Sequence, residues 1–181
     1  MNESSYSNYL LDTNVLLKIF NDSSDVERQL IEHTKPKKVS FILLNEILNE
    51  LFKVEQKRFQ QNPSKYKKME SKMQVIRKLA EIGIVQEISV DYNSWEYQWA
   101  IVFHRKRKLS HKRSDLSLID CLLLKLAIEN SWELVTTDHA LVKALRETAE
   151  SIGKSGIEVF VPSERYHAIN SLARKNTITS N

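Results

Sequence analysis

The sequence predicts an α/β fold: a parallel sheet of about five strands covered by helices on both faces. Strand-like apolar runs alternate with stretches of helical periodicity along all 181 residues, and that alternation is what repeated βα units produce. Only three Gly and three Pro interrupt the chain, which argues against a collagenous, linker-rich or disordered one. The length suits one well-buried core. Residues 1–165 are therefore expected to form a single domain and residues 166–181 a polar, frayed tail.

Residues 9–12 read as the first strand and run into a short helix over 14–20. A second helix is expected over 25–33 and a second strand over 39–41. A long helix follows over 43–59, with Ile47, Leu48, Leu51 and Phe52 facing inward. Asn62-Pro63-Ser64 breaks it, because proline disfavours helix in the residue before it. A basic helix over 65–82 carries apolar Met69, Met73, Ile76, Leu79 and Ala80, and Gly83 ends it. Together 45–82 form an extended basic helical arm. Residues 84–90 alternate like a strand, and 93–103 form a helix with Trp95, Trp99 and Val102 at core spacing. A basic loop leads to a helix over 116–130, apolar almost all round and so buried. The last elements are a strand over 133–136, a helix over 140–152 and a strand over 158–161.

Apolar residues make up 41% of the chain and charged residues 28%, the balance of a soluble domain. Cys121 is the single cysteine and lies in an apolar run. That excludes an internal disulfide framework, fits a reducing compartment and marks a core thiol. No signal-peptide pattern opens the sequence and no apolar run reaches membrane-spanning length, so a cytoplasmic protein with no membrane partner is expected.

The net charge of +4 hides an uneven distribution. Residues 53–78 hold nine Lys/Arg against two acids, and 104–113 hold six against none. The rest of the chain keeps 12 basic and 21 acidic residues, a net −9. An acidic body with two concentrated basic stretches is suited to a polyanion, of which nucleic acid is the commonest.

Four acids interrupt or border the most apolar segments: Asp12, Glu46, Asp120 and Asp138. A carboxylate removed from water must be neutralised, hydrogen-bonded or placed on a cation. Asp12 and Asp138 fall at or just past strand ends, and Glu46 and Asp120 in the first turns of helices. Open parallel sheets bind ligands beyond the carboxyl ends of their strands, so all four are expected to converge there as oxygen ligands for a hard divalent metal. Each also has a structural reading. Thr13 or Asn14 can cap the first helix, Ser117 to Asp120 has capping-box spacing, Thr137 or Asp138 can cap a helix, and Glu46 suits a helix N-terminus. Asp115, five residues before Asp120, could extend the metal site, but is expected rather to cap that helix or pair with Arg113.

The chain resembles the PIN-domain ribonuclease family, which includes the VapC-type toxins. The resemblance rests on Leu11-Asp12-Thr13-Asn14-Val15-Leu16-Leu17, Leu43-Leu44-Asn45-Glu46-Ile47, Leu116-Ser117-Leu118-Ile119-Asp120 and Leu134-Val135-Thr136-Thr137-Asp138, in the family's order. It implies a three-layer α/β/α sandwich and an acidic pocket for Mg²⁺ or Mn²⁺. Carried over by position, Asp12, Glu46, Asp120 and Asp138 match the family's four acids, Thr136 its hydroxyl residue and Asn14 its polar residue after the first acid. Asp12 and Asp120 are then the principal metal ligands. Glu46 is a ligand or a water orienter, and Asp138 holds a second metal or a water. Phosphodiester cleavage needs a nucleophile from water, charge neutralisation at phosphorus and a stabilised leaving oxygen, which hard metal ions supply. No His or Cys ligand set suggests zinc.

Arg105, Lys106, Arg107, Lys108, Lys112 and Arg113 precede Asp120 and are expected to hold RNA phosphates at the pocket rim. His104 and His111 are expected at the solvated surface. Tyr92, Trp95, Tyr97 and Trp99 offer a base-stacking face, although Trp95 and Trp99 have the spacing of core residues. The stretch 45–82 is longer and more basic than in the compact toxins, and three readings compete for it: an RNA-guiding arm, a dimer or antitoxin surface, or a solvated charged face. The resemblance thus implies an endoribonuclease with RNA as substrate, a protein antitoxin as partner and a homodimeric state. Its rivals are a catalytically silent PIN domain that binds RNA or scaffolds a complex, and a structure-specific DNA nuclease. A phosphatase wants a second Asp where Asn14 stands, and a receiver domain an acidic pair.

Overall fold

A computed structural model describes residues 6–20, 24–35, 37–62, 71–109, 116–154 and 156–162. Five strands form one parallel sheet in the order β3-β2-β1-β4-β5. These are β1 (Ser7–Leu11), β2 (Val39–Leu44), β3 (Ile84–Ile88), β4 (Glu133–Val135) and β5 (Val159–Phe160). Tyr9 of β1 is in register with Phe41 on one side and Glu133 on the other. Every residue of β2 and β4 is buried, as expected of strands covered on both faces. The edge strand β3 is largely exposed and β5 is only two residues long.

Helices α1 (Thr13–Phe20), α2 (Ser24–Thr34), α3 (Asn45–Gln61) and α4 (Ser71–Ala80) pack among themselves. Helices α5 (Trp95–Leu109), α6 (Leu118–Asn130) and α7 (His139–Ser151) form a second group, with α5 and α7 against α6. Right-handed crossovers that step from β1 to β2 to β3, and then back past β1 to β4 and β5, put these groups on opposite faces. The result is the expected α/β/α sandwich. In α6, residues 121–128 are buried, Lys125 included, because the helix lies between α5, α7 and the sheet.

Several expectations are corrected. Strand β2 runs to Leu44 rather than to residue 41, because Leu43 and Leu44 pair with Glu87 and Ile88. An apolar run of that length has no periodicity to separate strand from helix start. Phe52 is exposed while Ile47, Leu48 and Leu51 are buried, so α3 leaves the core after its first two turns. Val75 and Leu79 anchor α4 in the core, whereas Ala80 is exposed. The expected basic arm is therefore partly core, and its residues 63–70 lie outside the described residues, as does the tail. Gly83 is not in the left-handed region. It is required because an added Cβ would lie 2.7 Å from the carbonyl oxygen of Val39.

The largest correction concerns the basic stretch. Residues 104–109 are the last turns of α5 rather than a loop, and 110–115, with His111, Lys112, Arg113 and Asp115, lie outside the described residues. On α5 it is Ala100 that is buried, while Trp95 and Val102 are exposed. Among the described residues no helix is long and apolar enough to cross a membrane.

Candidate active site

Strand order reverses between β1 and β4, which makes the carboxyl ends of those two strands the switch point where open α/β sheets bind ligands. Asp12 follows β1 there. Its N–H bonds the Val135 carbonyl at 3.0 Å, prolonging the sheet, and its carbonyl accepts the N–H groups of Val15 and Leu16 that start α1. The side chain is almost fully buried, at 2% exposure. Thr136, fully buried just past β4, donates its hydroxyl to Asp12 Oδ2 at 2.6 Å. The same Oγ1 accepts the N–H of Asp138 at 2.9 Å. A hydrogen-bonded line thus crosses the switch point from Asp138 through Thr136 to Asp12. Asn14 contributes through its backbone, since its side chain is exposed.

Burial pushes the Asp12 carboxyl above the usual carboxylate range and the charge of Asp120 adds to this, while Thr136 and the N–H groups of Asn14 and Thr13 pull it back. Asp120 is also raised, by burial first and by Asp138 in part, against its Ser117 hydrogen bonds and the charge of His104. Asp12, Asp120 and Asp138 therefore share one electrostatic environment. Two of them also serve as caps. Asp120 closes a capping box on α6, accepting the Ser117 N–H at 2.6 Å on Oδ2 and donating its own N–H to Ser117 Oγ at 3.1 Å. Asp138 caps α7, its Oδ1 accepting from Ala140 at 2.7 Å and Leu141 at 3.3 Å. Capping and a site role are compatible, because a carboxylate has two oxygens and about four acceptor positions.

Glu46 stands in the first turn of α3, whose N-cap Leu44 offers no side-chain bond. Its Oε2 is buried without a hydrogen-bond partner. It lines a polar cavity of about 890 Å³ with Asn45, Asn49, Asp91 and Tyr92, on the β3 side of the same sheet edge. Sequence reasoning missed Glu50, one turn beyond Glu46, an exposed residue whose carboxyl is raised by partial desolvation and then by Asp120. Spacing of four on one helix face was its only signal. Buried Cys121 has its thiol pushed up to about 11, by burial first and then by Asp120, so it stays protonated.

The donor chemistry fits a hard divalent cation: hard carboxylate oxygens, two of them on carboxyls held above their usual range, and an unpartnered buried oxygen on Glu46. The side chains as placed do not close a cage. Among the described residues no three Asp, Glu, His or Cys side chains stand together so as to hold one ion.

Fold and site together define an α/β sandwich with carboxylates gathered at its switch point. Residues 9–147 match the PIN domain, and the chain belongs to that family, whose members are generally nucleases. No curated protein matches the sequence. Among solved structures, a domain of a functionally unknown protein from Methanocaldococcus jannaschii DSM 2661 is 19% identical, over 87% of this chain and 91% of that one, with a TM-score of 0.50. VapBC2 from Rickettsia felis, in a crystal structure bound to a DNA fragment from their promoter, is 15% identical over 86% of this chain and 99% of that one, with a TM-score of 0.54. At these identities the likeness is one of fold.

Proposed function

We propose that this PIN-domain protein is an endoribonuclease that depends on Mg²⁺ or Mn²⁺. The observation that carries the reading is the line from Asp138 through Thr136 to Asp12, with Asp120 in its field, at the switch point of a PIN sheet. Asp12 and Asp120 would hold the cation, Glu46 would hold it or orient water, and Asp138 would steady a water or a second ion. A bound hard cation supplies neutralisation of the charge that builds on the phosphate. Thr136 fixes the orientation of Asp12, and the backbone of α1 supports the same carboxylate. Arg105, Lys106, Arg107 and Lys108 on α5 would grip flanking phosphates. The likeness to VapBC2 supports a toxin restrained by a protein antitoxin; a homodimer acting in the cytoplasm completes the reading and rests on the sequence.

One observation favours a second reading. Among the described residues the acids do not close around an ion, an arrangement that suits a silent domain that binds RNA without cutting it. Incubating purified protein with a mixed cellular RNA pool in Mn²⁺, beside an EDTA control and Asp12→Asn, separates the two. Discrete fragments from the unaltered protein alone support the nuclease. Tight salt-sensitive binding without fragments supports the silent domain, and cleavage undiminished in Asp12→Asn would remove Asp12 from the chemistry.

A further inference from the structure

We propose that the Trp95 end of α5 is a stacking platform for an unpaired nucleic-acid strand, with Trp95 as its exposed anchor; the inference rests on the reading that this chain acts on RNA. Trp95, Trp99, Phe103 and Arg107 recur every four residues, so they form one slowly winding stripe. Trp99 and Phe103 are stacked, with ring centres 4.6 Å apart and planes at 14°. The Arg107 guanidinium lies 5.6 Å from the centre of the Phe103 ring. Lys125 of α6, buried and paired with Glu129, holds its ammonium 5.4 Å from the Trp95 ring and 5.3 Å from the Trp99 ring. A desolvated cation between two indoles holds both rings in place.

Trp99 and Phe103 rest against the core, but Trp95 remains 67% exposed and the nearby Tyr92 71%. Trp95 packs on the Lys125 ammonium, yet most of its surface stays in water. Large rings usually leave water, so a Trp held open by a neighbouring cation is an unfilled contact surface. An unpaired base fits it, because every base has a π-face and stacking tolerates any sequence. Charge points the same way. The last turn of α5 carries Lys106, Arg107 and Lys108, and His104 on the same helix acts on Asp120. A strand lying along the stripe is held by its phosphates and led toward the carboxylates. A duplex keeps its bases stacked inside and would gain only the phosphate contacts.

The test uses the full chain carrying Asp12→Asn, in EDTA, so that binding is read whether or not the protein cleaves. Anisotropy of a labelled single-stranded oligoribonucleotide is compared with that of the same sequence in a duplex. Trp95→Ala is expected to weaken single-strand binding about tenfold, the effect of losing one stacked base, and to leave duplex binding unchanged. Trp95→Phe should recover most of the loss. Arg105→Gln with Lys106→Gln should weaken both ligands alike and flatten the salt dependence. Unchanged single-strand affinity in a folded Trp95→Ala protein overturns the platform alone. If that variant instead alters only the oligomeric state by light scattering, the face is a protein interface and the proposal fails. A parent protein that binds no RNA overturns the RNA reading together with it.

Discussion

Asp12 is held where ionisation is opposed, buried and facing the charge of Asp120, yet the fold gives it a hydroxyl and two backbone N–H groups. The folded protein therefore binds protons at Asp12 and Asp120 more tightly than the unfolded chain. Without metal, stability is fully retained below the ordinary carboxylate value and falls as pH rises through the raised folded values. Asp12→Asn should accordingly melt at a higher temperature than the parent at pH 7 in EDTA, the gap closing as pH drops into the ordinary carboxylate range. A lower melting temperature at pH 7 would refute this account. Mn²⁺ should raise the midpoint of the parent and not of the variant. Thr136→Val leaves Asp12 Oδ2 without its hydroxyl donor and should lower cleavage about 10- to 100-fold, the usual effect of losing a ligand's supporting bond; Thr136→Ser should restore it. At this scale the acids of the candidate site stood out in the sequence, because acids inside apolar runs conflict with their surroundings. Glu50 did not, because an acid on a charged helix conflicts with nothing.

Helix ends carry the site, so their caps carry it too. Ser117→Ala removes the hydroxyl half of the capping box on α6 and should cost about 1 kcal/mol in denaturant unfolding. Gly83→Ala should cost more, about 1–3 kcal/mol, since its Cβ would press on the Val39 backbone at the β2–β3 side of the sheet. Alanine stability equal to or above the parent would show that α4 can shift to relieve the contact. The helical course of residues 104–109 is hidden in the sequence, because a run of charges also suits a surface connection. Lys and Arg are good helix formers, and cations in the last turn complement the helix dipole.

Over the whole molecule, the order β3-β2-β1-β4-β5 decides which helix ends meet. It sets the ends of β1 and β4 side by side at the reversal and leaves Glu46, after β2, lining a cavity on the β3 side. Charge is divided on the same scale, with α5 delivering cations beside α6 and Asp120. Binding of single-stranded RNA should be strongly salt-dependent. If the four cations from Arg105 to Lys108 each neutralise one phosphate, the slope of log K against log salt is about −3, at ~0.7 per phosphate on a single strand. A flat dependence would mean that α5 does not face the backbone of the RNA.

Periodicity and composition alone determined the α/β class, the order of elements among the described residues and the identity of the buried helix α6, because burial on all sides leaves a continuous apolar run. The same local conflict between charge and surroundings singled out Asp12, Glu46, Asp120 and Asp138. Only the tertiary structure decided that three of these acids share one field while Glu46 lines a polar cavity on the β3 side, that Asp120 and Asp138 cap helices, and that Trp95 stands in water. Those outcomes depend on strand order and on which helix covers which, and such long-range packing leaves no mark on the local pattern of the chain.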